Sequence, residues 1–194
     1  TDPGGKYGDD LCEITVLKEL NNPFLNLPTK VGFVAGAKDS LRVDNHVSDP
    51  GFDNSELTWA WSSVYNINKA NITIDEQKQF LHFTGSADWV GWDRIGVDVR
   101  NPVNGAAFDS LTVFSVPDDG SPVAGGLTGL TLKAGECIDV YLDDYFYDAD
   151  TPDYAVTWSV TGNDSISVDI DGFSHIAHIC ALSETWGGQE TLEF

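Results

Sequence analysis

The sequence predicts an all-β chain of two successive sandwich-like units. Three observations carry this: short segments place apolar residues at every second position, clusters of Gly, Pro, Asn and Asp cut those segments at short intervals, and one residue pattern recurs 99 residues further on. Alternation at a period of two marks a half-buried strand, because successive side chains point to opposite faces. Many short strands separated by turn formers are the pattern of a sandwich. No segment of about twelve residues carries a 3.6 period, so little or no helix is expected.

Taken in order, the first expected strand is Asp10-Leu-Cys-Glu-Ile-Thr-Val16, with Cys12, Ile14 and Val16 on one face. Cys12 there reads as a small core residue. Leu57-Thr-Trp-Ala-Trp61 follows, then Ile95-Gly-Val-Asp-Val99 and the strand Asp109-Ser-Leu-Thr-Val-Phe-Ser-Val116. Val156-Thr-Trp-Ser-Val160 and Ile166-Ser-Val-Asp-Ile170 complete the series. Trp59, Trp61, Trp158 and Val160 share one parity, as one buried face per strand requires, and such tryptophans are expected in the core.

The repeat runs without a gap. Val43-Asp-Asn-His-Val-Ser-Asp49 and Leu57-Thr-Trp59 fall on Leu142-Asp-Asp-Tyr-Phe-Tyr-Asp148 and Val156-Thr-Trp158, and Ala35-Gly36 falls on Ala134-Gly135 in the same register. Trp89-Val-Gly91, Ile95 and Val97 fall on Trp186-Gly-Gly188, Leu192 and Phe194 at an offset of 97. The copies are out of phase with the chain ends. Copy one continues past its Trp-x-Gly strand into Arg100-Asn-Pro-Val-Asn-Gly105 and the strand 109–116, whereas the sequence of copy two stops at Phe194. Thr1-Asp-Pro-Gly-Gly5 and Asp10 to Val16 match that turn and strand, with Cys12 on Leu111 and Ile14 on Val113. The expected organisation is therefore 1–22, the last strand of a preceding or neighbouring sandwich plus a linker; 23–117, a first sandwich; and 118–194, a second sandwich lacking its last strand.

At these residues the chain resembles a known family. Asp148-Ala-Asp-Thr-Pro152, Val156-Thr-Trp-Ser-Val-Thr-Gly-Asn163, Ser167-Val-Asp-Ile-Asp171, Trp186-Gly-Gly-Gln-Glu-Thr-Leu-Glu-Phe194 and Thr1-Asp-Pro-Gly-Gly5 are similar to the tandem cadherin-like, immunoglobulin-like repeats of large secreted prokaryotic surface proteins. Copy one departs from the pattern, with Asp49-Pro-Gly-Phe-Asp53 in place of the Asp-x-Asp-Thr-Pro run and Trp92-Asp93 where a small polar pair is usual. The resemblance implies about seven strands per repeat, linked end to end, and an extracellular or cell-surface setting. Trp92 and Tyr154 have no apolar counterpart in the other copy and are candidates for surface contacts.

Cys137 and Cys180 are each out of phase with the inward residues beside them. In immunoglobulin-like topology they start and end two antiparallel neighbours, which implies a cross-strand disulfide; two free thiols are the alternative. Carboxylates gather in the expected loops, with Asp49 and Asp53 in copy one and Asp148, Asp150 and Asp153 in copy two. Cadherin-like arrays stiffen their joints by collecting such oxygens around calcium, so calcium is the one cofactor the resemblance suggests. A solvated acidic surface is the plainer reading.

Ten Lys and Arg against 31 Asp and Glu give a net charge of −21, which disfavours nucleic acid and anionic membranes as partners. No run approaches the ~18 apolar residues of a membrane-spanning helix. His46, His82, His175 and His178 show no triad or zinc spacing, and no phosphate-binding glycine loop occurs, so enzymatic activity is not expected. An uncovered apolar stripe at Leu192 and Phe194 is costly and prone to pairing. The leading expectation is thus a structural subunit of an extracellular filament, in which Leu11, Cys12, Ile14 and Val16 complete the second sandwich of the next copy head to tail. Adjacent repeats of one longer chain could supply the strand instead. The alternative function is an adhesin or carbohydrate-binding module; a third is a noncatalytic spacer in a secreted enzyme.

Overall fold

A computed structural model describes residues 22–63, 71–183 and 185–194. The strand 10–16 and the assembly residues Leu11, Cys12, Ile14 and Val16 lie outside the described residues. The described residues form strands and short 3-10 turns with no α-helix, and no helix is long and apolar enough to cross a membrane.

The first half holds nine strands: β1 (Phe24–Leu25), β2 (Lys30–Val34), β3 (Lys38–Arg42), β4 (Val47–Ser48), β5 (Thr58–Ser63), β6 (Thr73–Asp75), β7 (Phe80–Thr84), β8 (Gly91–Arg100) and β9 (Ala106–Val116). One sheet has the order β2-β9-β8-β5, with β2 parallel to β9 and the other pairs antiparallel. The second has the order β3-β7-β6, and β1 pairs with β4. The two larger sheets face each other across one core. Leu81 and Phe83 come from the three-stranded sheet, and Trp59, Ile95, Val97, Val99, Leu111 and Val113 from the four-stranded one, all buried. Alternation explains this division: in β8, Ile95, Val97 and Val99 point one way. Both tryptophans of β5 sit as expected, with Trp59 buried and Trp61 packed at the core's edge.

The same string of elements returns 99 residues later. β10 (Val123–Ala124), β11 (Cys137–Tyr141), the 3-10 turn Leu142–Tyr145, β12 (Phe146–Tyr147) and the turn Asp153–Ala155 repeat β1, β3, Val43–His46, β4 and Asn54–Glu56. β13 (Ser167–Ile170) and β14 (Ile176–Cys180) then complete a sheet of order β11-β14-β13, while β10 pairs with β12. The second half has no counterpart of the four-stranded sheet among the described residues. The expected strand Val156–Val160 does not form: its inward residues keep their alternation, but among the described residues the only sheet contact beside it is one isolated bridge just beyond its end, Thr161 to Glu193. Strand formation needs a hydrogen-bonded neighbour, and the alternating pattern records only the side-chain half of that requirement.

Cys137 and Cys180 stand opposite each other on β11 and β14 and are joined by a disulfide, with Cα atoms 4.1 Å apart. Cys137 is exposed and Cys180 buried, and because they stand directly opposite each other they share one face of the sheet, out of phase with the inward Ile179. At the β13–β14 turn, Asp171 accepts the N–H groups of Phe173 and Ser174 at 3.0 and 2.6 Å. Asp148 likewise accepts those of Asp150 and Thr151 at 3.0 and 3.1 Å. The Ser174 N–H holds the Asp171 carboxyl below the usual range, and the Asp150 N–H does the same for Asp148.

Two outcomes follow for the second half. The disulfide closes a loop across a sequence separation of 43, so replacing both cysteines by alanine should lower the unfolding free energy of the second half by about 2–4 kcal/mol. The first half should be unmoved, which two-transition calorimetry with and without reductant reads out. Carboxyls held low stabilise the fold above their unfolded pKa and lose that contribution as pH falls through the folded value. The thermal midpoint should therefore drop below about pH 4, and Asp171→Asn should flatten that acid limb.

Candidate functional site

The two halves differ most at their free flank. Residues 129–133 and 188–194 are the counterparts of β2 and of the first part of β8, yet neither segment is a strand. In the first half these elements are joined by β9, which bonds to both. Between 129–133 and 188–194 lies an open cleft of about 330 Å³ lined by Leu127, Leu130, Leu132, Ile166, Ile179, Leu192 and Phe194, with Glu190 at its wall. A second cleft of about 300 Å³ runs on beneath Leu192 and Phe194 to Leu142 and Trp158. Among the described residues none occupies the place of β9.

The burial of matched positions measures what is missing. Ile95 and Val97 are 0% exposed, and their counterparts Leu192 and Phe194 are only half-buried. Phe33 and Trp59 are buried, whereas Leu132 and Trp158 are half-buried. Leu130 is 42% exposed. The second core's buried cluster is Val140, Leu142, Ala177 and Ile179 among the described residues, with Leu192, Phe194 and Trp158 partly buried against it. Glu190 braces one wall by accepting the N–H groups of Asp164, Ser165 and Ile166 at 2.8 to 2.9 Å. The slot is thus an apolar groove, flanked by two extended segments with their sheet pairing unmade, the geometry that accepts an added strand.

A second feature lies where the halves meet. The Lys30 ammonium of β2 reaches across to the turn 142–147, where the Asp143 and Phe146 carbonyls and the Asp153 carboxylate accept from it, the last two at 3.1 and 3.0 Å. It also sits 4.5 Å above the Phe146 ring, and only 16% of the side chain is exposed. Thr29 adds a hydroxyl bond to Asp144 at 2.8 Å. Two aromatic rings fit against two glycines reciprocally: Tyr147 packs on Gly32 and Trp92 on Gly125, and a Cβ on either glycine would lie 2.0 to 2.3 Å from the ring. Tyr147 also stacks on Phe114 at 6.4 Å, and burial pushes its phenol pKa up.

The remaining sequence-predicted residues are placed as follows. Trp92 is not a free surface contact; it is half-buried in the joint because Gly125 lets the backbone approach it. Tyr154 is 83% exposed. Asp49, Asp53, Asp148, Asp150 and Asp153 do not converge. Asp49 accepts the Gly51 and Phe52 N–H groups and the Asn101 amide, and Asp53 shares a reciprocal cap with Glu56. Asp150 accepts the Thr151 hydroxyl, and Asp153 is paired with Lys30. Among the described residues, the one group of three donors close enough to share an ion is Cys137, His178 and Cys180, and its two sulfurs are bonded to each other. The joint went unseen in the sequence because Lys30, Gly32 and Gly125 carry no local signal; only the mismatch with Gly129, Thr131 and Asn26 at the repeat offset marks them.

No family model matches the chain, and no curated protein is similar to it. Several solved structures are: the extracellular cadherin domains 1–5 of Protocadherin Gamma B2, at 16% identity and a TM-score of 0.40, cover 84% of this chain and 33% of their own. An endo-fucoidan hydrolase of glycoside hydrolase family 107 matches at 13% identity and a TM-score of 0.37, over 92% of this chain and 27% of its own. The PKD domain of the KIAA 1837 protein matches at 13% and 0.36, over 60% of this chain and 97% of its own. The chain spans well under half the length of the hydrolase and protocadherin chains. At this distance none of them assigns a role to any residue of this chain.

Proposed function

We propose that the slot in the second half receives residues 10–17 of another copy, and that the protein is a structural subunit of an extracellular fibre joined head to tail in this way. One observation carries the reading: positions that β9 buries in the first half stand half-open in the second, around a groove of a strand's shape. The sequence of the donor supports it. Cys12, Ile14 and Val16 match the inward residues Leu111, Val113 and Ser115. Asp10 matches Asp109, whose carboxylate accepts the Leu27 N–H at 2.8 Å, so Asp10 would meet the corresponding N–H of Gly126.

The register follows from the first half. β9 pairs Val113 with Val31 on one side and Leu111 with Ile95 on the other. The donor strand then sets Ile14 beside Leu130 and Cys12 beside Leu192. The step from strand to next unit also agrees, since Leu17 to Phe24 is as long as Val116 to Val123. The contact is heterologous and repeats without closing, which makes a filament. In a longer polypeptide of like repeats, a covalent neighbour would fill the slot in the same register. Calcium is not required by this reading, because a lysine ammonium already stands beside Asp153 and opposes a second cation there.

A carbohydrate-binding or adhesive role remains the second reading, and it rests on the exposed ring of Tyr154 alone. It predicts sugar binding lost in Tyr154→Ala by a full chain that stays monomeric.

Assembly has a sharp test in the full chain. Leu192→Cys should form an intermolecular disulfide with native Cys12, giving a ladder on non-reducing electrophoresis that collapses with reductant and is lost in Cys12→Ser. A crosslinked monomer would mean insertion within one chain, and no Cys12 crosslink would overturn the register. Separately, Ile14→Asp places a charge against Leu130 and should abolish polymers in sedimentation while leaving the first half's melting unchanged.

A further inference from the structure

Resting on that assembly reading, we infer that the first half's pole, around the exposed Phe24, Asn26 and Ser48 and the half-buried Asn54, is the surface on which the second half of the neighbouring copy sits, and that this contact is a hinge. The fibre would then alternate rigid joints inside each chain with flexible ones between chains.

The placement comes from equivalence. This pole is built by β1, β4 and the turns 43–46 and 54–56, the counterparts of the elements by which the second half docks on the first. A donor strand entering the neighbouring slot is linked to this pole by the same length of chain as joins β9 to β10. A shallow cleft bounded by Phe24, Asn26, His46 and Val47 lies there, and Phe24 is 67% exposed.

The looseness comes from what occupies each matched position. Inside the chain, Lys30 binds the Asp143 and Phe146 carbonyls and Asp153; between chains the lysine's place falls to Gly129 and the aspartate's to Asn54. The ring-on-glycine pairs also vanish. Tyr147 on Gly32 becomes Ser48 beside Thr131, and Trp92 on Gly125 becomes Gln189 beside Asn26. The first half moreover satisfies its own pole: the Asn54 amide donates to the Asp44 carbonyl at 3.1 Å, the bond that Lys30 makes to Asp143 across the joint. Asp44 itself is held by Arg42 at 2.8 Å, which raises the Arg42 pKa through that hydrogen bond. The turn in the second half depends on its neighbour for a donor; the turn in the first half does not. A contact that offers neither a part-buried ammonium nor interlocked rings has less to fix its angle than the joint inside the chain, which makes it a hinge.

The test is negative-stain imaging of filaments from the full chain, with angles measured at successive joints. Angles should spread widely at every second joint and narrowly at those between. The double variant Gly129→Lys with Asn54→Asp rebuilds the ammonium contact and should narrow the wide class. Equal spread at all joints, or no response to the double variant, overturns the inference while leaving assembly intact. Absence of filaments defeats the assembly reading instead. The rigid half is tested even then, by small-angle scattering of the single chain carrying Ile14→Asp: Lys30→Met should broaden its distance distribution, and an unchanged profile overturns the claim that Lys30 stiffens the joint.

Discussion

The fold depends on one constraint: a strand in the middle of a sheet must hydrogen-bond on both edges and cover the core beneath it. β9 meets this constraint in the first half. It runs parallel to β2 on one edge and antiparallel to β8 on the other, and it carries Leu111 and Val113 into the core. Where no such strand stands, two neighbours lose their partner at once. That explains why 129–133 and 188–194 fail to form strands although they are the counterparts of β2 and of the first part of β8; 157–160, the counterpart of part of β5, in turn has no formed β8 to pair with. The three-stranded sheet β11-β14-β13 survives because none of its pairs involves the missing place, and the disulfide ties two of its strands together.

Side-chain periodicity and the 99-residue offset made the all-β class, the inward tryptophans and the position of the slot legible in the sequence. These are properties of a chain read against itself. Strand formation at 156–160 was not legible, because alternation reports burial of a face and is silent on whether a neighbour supplies backbone bonds. The carboxylates have local work that a sequence pattern does not display. Asp49 and Asp148 each cap the N–H groups two and three residues ahead, the ordinary work of aspartate in a turn. The joint was invisible because its parts are single residues far apart: Lys30 and Asp153, Gly32 and Tyr147, Trp92 and Gly125.

The charge imbalance also changes meaning at the joint. With only ten basic residues in the chain, placing one of them in a buried cradle of carbonyls and a carboxylate is a strong local choice. An ammonium there satisfies three acceptors without depending on the concentration of a free ion.

Strength and stiffness are therefore separable in this architecture. A strand inserted into the slot would complete a core and two rows of backbone bonds, so the link between copies would have the energy scale of folding rather than of surface docking. Flexibility at such a link would be set by different residues, those on the outer face of the inserted strand and on the pole it leads to. In sequence, Cys12, Ile14 and Val16 stand at the repeat positions of the buried Leu111, Val113 and Ser115. On the outer face Thr15 stands where Phe114 stacks on Tyr147. In the proposed assembly the outer-face change from Phe114 to Thr15 would bear on bending, and the largely apolar inner-face positions on attachment.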